Sequence, residues 1–209
     1  MSATKIDLGQ NAGVSVGRSG KPGGRAEHKI PVVGQFQVEH WRDGVLLDIY
    51  SFKNGITNEG KNNLLDTHFD LGSQVTAWYM ALVDNANFTA LANDDTYDDI
   101  DQAGNGWDEF KSYTDAGNAS STTTRPVWAP DAASAQSISN STQEVFDITG
   151  SGTVKGVAIV GAASGATATA NTKGDHAADG VLWATALFDQ GDTAVVNGDQ
   201  LKITYTVSA

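Results

Sequence analysis

The chain has 209 residues, no cysteine, 23 glycines and a formal charge of −12. That length can bury one sizeable core without metal or disulfide staples, and the lack of thiols removes disulfides and thiolate metal sites. The acidic balance opposes contact with a phosphate backbone, so nucleic acid is not an expected partner; low charge content beside abundant Gly, Ser and Thr favours strands and turns.

Residues 1–34 read as an extended N-terminal arm. The segment holds Gly13, Gly17, Gly20, Pro22, Gly23 and Gly24 and shows no lasting periodicity, so it would order only against a partner or else fray. Its first 30 residues carry Lys5, Arg18, Lys21, Arg25 and Lys29 against Asp7 and Glu27, a net +3 that leaves −15 for the rest. Those five cations are the candidate partner-binding residues, suited to an acidic protein surface. No apolar stretch near the start reads as a signal peptide, and no apolar run is long enough to span a bilayer. The expectation is a soluble protein made in a cytoplasm, with no membrane contact.

The body, residues 35–209, opens with a hairpin. Phe36, Val38 and His40 alternate with polar neighbours, Asp43-Gly44 supplies a two-residue turn, and Val45, Leu47 and Ile49 continue the return strand. A helix is expected over 57–69, capped by Thr57 or Asn58, with Ile56, Gly60, Leu64, Leu65 and Phe69 near one face. Val75–Val83 is apolar at successive positions and reads as a central strand covered on both sides. A polar excursion follows from Asp84 to Gly106, then a strand near Trp107–Thr114, and a crossover or edge at Arg125-Pro126-Val127-Trp128. Further strands are read at Glu144–Ile148, Thr153–Val160, Val181–Phe188 and Leu201–Val207, the last after an Asn197-Gly198 turn. About eight strands and one short helix make an all-β body of β-sandwich or jelly-roll type.

Catalytic patterns are missing. Ser164 lies in GAASG, which is not a nucleophile elbow, and GRSGKPGG at 17–24 neither follows a strand nor opens a helix. His28, His40, His68 and His176 are scattered, and Asp66 and Asp70, two residues either side of His68, would not share its helix face. The remaining constellation is the acidic stretch in which Asp94, Asp95, Asp98, Asp99, Asp101, Asp108 and Glu109 crowd together; a hard cation such as Ca²⁺ would relieve their repulsion, with Asp94, Asp95, Asp98, Asp99 and Asp101 as its candidate ligands. Counted from Asp99, however, an EF-hand would need ligands where Ala103 and Phe110 stand, so a solvated loop is the plainer reading. The five tryptophans fall mostly in strand-like runs, where large aromatics serve the core more often than they serve as sugar platforms.

The phrases VEHWRDGVLLDIYSFKNGITNEGKNNLLDTHF, VTAWYMALVDN, WDEFKSYT, TRPVWAPDAASAQSISNST, VKGVAIVG, LWATALF and GDQLKITYTVSA, in that order over residues 35–209, resemble a group of tailed-phage virion proteins encoded among head and tail structural genes. The loop at 93–106, longer and more acidic than in that group, and the basic arm depart from it. The resemblance implies a particle component that catalyses nothing. Its most specific form is a head decoration (cement) protein on the capsid exterior, bound to the major capsid protein and to copies of itself, as a trimer rather than a dimer. A tail or receptor-binding component and a carbohydrate-binding β-sandwich are the alternatives.

Overall fold

The computed structural model describes residues 31–102, 104 and 106–209. Pro31–Ala209 forms a compact unit, and residues 1–30 lie outside the described residues. Because the first strand begins at Val33, the body takes in positions that the sequence assigned to the arm.

The hairpin forms as its turn chemistry demands. Strand β1 (Val33–Arg42) and strand β2 (Val45–Ile56) flank Asp43 and Gly44, whose φ of 50° and 74° are the positive values a tight hairpin turn needs. Helix α1 (Asn58–Phe69) follows at once. Thr57 caps it, its hydroxyl accepting the Gly60 N–H at 3.0 Å and donating to the Leu182 carbonyl. Only part of the expected inner face is inner: Gly60 is buried and Leu64 half-buried, while Leu65 and Phe69 are 53% and 81% exposed.

The remaining strands are β3 (Val75–Asp84), β4 (Glu109–Phe110), β5 (Tyr113–Asp115), β6 (Val127–Trp128), β7 (Ser137–Ser139), β8 (Glu144–Ile148), β9 (Gly152–Ala163), β10 (Gly180–Leu187), β11 (Thr193–Val195) and β12 (Gln200–Ser208). Among the described residues, twelve strands replace the expected eight because several have only two or three residues, too short to show a period. The stretch expected as one strand near 107–114 is one such case, split into β4 and β5.

All pairings are antiparallel, in the order β4-β3-β9-β10-β2-β1-β12-β8-β5. The end of β2 joins two layers: it runs along β1 for its length, and its Gly55 and Ile56 then pair with Thr185 and Ala184 of β10. The result is a sandwich nearly closed into a barrel. Within β1, residues 34–41 are paired on both edges, by β2 and by β12, so this strand offers no free edge for addition to a neighbour's sheet.

Two apolar clusters explain the all-apolar central strands. Between the layers lie Phe36, Phe52, Met80, Leu82, Val157, Ile159 and Tyr205. On the other face of β3 and β9, Ala81, Val83, Ala158 and Val160 pack under Tyr97, Ile100 and Trp107. The acidic excursion is therefore the lid of a second core as well as a solvated loop.

Candidate functional site

A concentrated polar cluster sits beneath that lid. Arg125, fully buried, projects a guanidinium between β4, the excursion and the loop before β10. Its Nε and one terminal nitrogen grip Glu109 in a two-point fork at 2.8 and 2.7 Å. The other terminal nitrogen donates to the Ala170 carbonyl at 2.7 Å and the Tyr97 hydroxyl at 3.1 Å. Glu109 also takes the Gly174 N–H at 3.0 Å. Burial by itself would raise the Glu109 carboxyl, but the Arg125 charge and hydrogen bonds override it and hold it at about 2. At Tyr97 the balance is reversed: burial outweighs Arg125 and pushes its hydroxyl up.

His176 closes the cluster. Arg125 donates to its Nε2 at 3.1 Å, which places the ring proton on Nδ1, 3.6 Å from the Asp101 carboxylate. Asp101, Glu109 and His176 bring ligand atoms within 4.8 Å of one another. The donor set could hold a cation by distance, but its charges are already matched: Lys111 pairs with Asp101 and Arg125 with Glu109. A metal would have to displace both cations and the Arg125–His176 bond. The arrangement is an electrostatic clasp joining four chain segments, and it contains no nucleophile beside a base.

A second clasp holds the hairpin. Asp199, 1% exposed, accepts two hydrogen bonds from Arg42 at 2.6 and 2.8 Å, one from His40 at 2.9 Å and the Val196 N–H at 2.9 Å. The Arg42 bonds are the main reason its carboxyl lies far below the usual range.

The sequence candidates fare differently. Lys5, Arg18, Lys21, Arg25 and Lys29 lie outside the described residues. Of the acidic loop, Asp95 is buried and accepts from the Ala92 N–H and the Trp107 indole. Asp99 accepts the Thr96 N–H at 2.9 Å, Asp98 accepts the Thr96 hydroxyl at 2.8 Å, and Asp101 accepts the Glu109 N–H at 2.7 Å. Only Asp101 joins a converging group, and that group includes none of the other four. These carboxylates act first as local caps that shape the lid. Asp94, Asp95 and Asp99 still line one pocket beside Gly104 and Gly106.

Sequence reasoning missed Arg125, Glu109 and His176 as a unit, because they are 16 and 51 residues apart from Arg125 and share no motif. The one available signal was an isolated Arg between a Ser/Thr loop and an apolar Pro-Val-Trp.

An apolar groove of about 320 Å³ opens between α1 and the sheet, lined by Leu64, Val75, Trp78, Trp128, Ile138 and Trp183. The Trp128 and Trp183 indole N–H groups point inward, to Asn140 and Tyr205, and the polar side chains along the groove are those of Asn63, Thr67, His68 and Gln74. In comparisons with known proteins, no family model matches the chain, and no curated protein or solved structure is significantly similar to it.

Proposed function

We propose that this protein is a non-catalytic structural component of a tailed-phage virion, a decoration protein that binds the capsid exterior and stabilises the major capsid shell. Beyond the resemblance over residues 35–209, the observation that carries the reading is the β1–β2 hairpin. Val45, Leu46, Leu47 and Ile49 are all exposed at its end, and β2 has a strand partner on its outer side only at Gly55 and Ile56. Four neighbouring apolar side chains on a firmly clasped hairpin suit adhesion to a large partner. The buried polar groups support the same reading, since they are spent on holding loops in place. The basic residues of the first 30 positions add a second point of attachment, at high effective concentration once the body has docked.

The test is made on particles. Immunogold labelling of purified virions should place the protein on heads. Substituting Leu47→Asp and Ile49→Asp together should lower capsid occupancy by about tenfold or more while leaving thermal unfolding nearly unchanged, as expected for anchors of an interface. Deleting residues 1–30 should lower occupancy further. Label on tails would move the protein to the adsorption apparatus, and absence from particles would end the proposal. A sugar-binding role is the weaker reading: Asn63, Thr67, His68 and Gln74 stand along the groove beside its tryptophans, but its lining is mainly apolar; saturable glycan binding by the isolated protein would favour it.

A further inference from the structure

Helix α1 has an outward face that the fold does not use. Its inner face rests on β10: a Cβ added at Gly60 would lie 2.5 Å from the Trp183 carbonyl oxygen, and the Glu59 carboxylate takes the N–H groups of Leu182 and Tyr97 at 2.6 and 3.0 Å. On the opposite side Asn58, Asn62, Leu65 and Phe69 are all exposed. Their spacing of four, three and four residues is that of the seam along which helices pair side by side. Lys61 and Asp66 flank this row; both are exposed, and neither has an ion-pair partner among the described residues. When two such helices run parallel, the residue one place before a seam position faces, on the next helix, the residue five further on. Here that match is Lys61 with Asp66, opposite charges. An antiparallel pairing would instead set Lys61 near Lys61 and Asp66 near Asp66.

We propose that α1 is a self-association element: copies of this chain pack their α1 helices parallel about a rotation axis. Leu65 and Phe69 form the apolar contact, Asn62 meets its own counterpart and fixes the register, and Lys61 faces Asp66 of the next copy. The seam is short, so the association is weak for its area. It works because the body holds the helix preformed, which removes the cost of nucleating it. The inference does not depend on the virion reading and survives its failure, since the test uses only the purified chain.

The chain's lack of cysteine makes the test direct. In a parallel seam like residues oppose each other, so the full-length Asn62→Cys variant should form an intermolecular disulfide at least roughly tenfold faster than Asp189→Cys, an exposed site off the seam, because docking raises the local thiol concentration. In sedimentation velocity over a concentration series, Lys61→Asp and Asp66→Lys should each shift the chain toward the monomer. An equimolar mixture of the two should restore association, because the mixed pair regains both opposite-charge contacts. Equal cross-linking rates, a mixture no better than its components, or a monomeric unmodified chain throughout the series would each overturn the proposal.

Discussion

Replacing Glu109 by Gln would leave the Arg125 guanidinium buried and facing a neutral amide. An uncompensated buried charge costs about 3–5 kcal/mol, so chemical denaturation of Glu109→Gln should show a loss of that order. The double variant with Arg125→Met should recover part of it, because the unpaired charge is then gone. The Glu109 and Glu144 carboxyls act on stability with opposite sign. Glu109 is held at about 2, below its ordinary 4.5, so its contribution is complete above pH 4.5 and is lost as pH falls toward 2. Glu144 is raised to about 7, chiefly by burial, against the pull of the Ala129 N–H. Between pH 4.5 and 7 the unfolded chain releases this proton and the native chain keeps it, so stability falls as pH rises through that window. Glu144→Gln should therefore unfold at the same temperature as the parent near pH 4 and at a higher one near pH 8. A variant with the same deficit or gain at both pH values would contradict this.

Among the elements, α1 shows how far a sequence speaks. Its limits and its Thr57 cap were legible, because capping depends on neighbours two or three residues away. Its orientation was not: Leu64 and Leu65 are adjacent, and only contact with β10 decides which turns inward. Gly60 illustrates the same gap. From propensity alone Gly60→Ala should stabilise the helix by about 1 kcal/mol. With the Trp183 carbonyl 2.5 Å from the added carbon, the helix would have to lift off β10, so the expected sign reverses to a loss of about 1–3 kcal/mol. Denaturant midpoints for Gly60→Ala and Thr57→Ala, the latter expected to lose about 1–2 kcal/mol, separate a packing cost from a capping cost. The hairpin's turn was readable from Asp43-Gly44, but not its full register, which slips at a bulge between His40 and Trp41; the two- and three-residue strands gain their pairing from the sheet they join.

At the scale of the whole molecule, the excursion after β3 carries the main lesson. Its carboxylates suggested a solvated loop, and nothing local reveals that Tyr97, Ile100 and Trp107 turn back onto the sheet. The indirect signal lay in β3 itself, whose apolar run at successive positions required cover on both faces while the sandwich supplies only one. The clasp around Arg125 then fixes the lid: Tyr97 and Asp101 reach it from the excursion, Glu109 from β4, and His176 from the loop before β10. Lid and clasp should consequently fail together. Trp107→Ala removes a ring that is 1% exposed, and the cavity left by so large a side chain costs about 3–5 kcal/mol. If the lid is a separate cooperative unit, much of that loss should appear as local opening. Amide exchange would then quicken at Ala81, Val83, Ala158 and Val160, with Phe36, Val38 and Ile203 unchanged. Dye binding to the uncovered face should rise before global unfolding. Uniform acceleration across both clusters would instead show that the two cores melt as one, and that the lid is as integral to the sandwich as any of its strands.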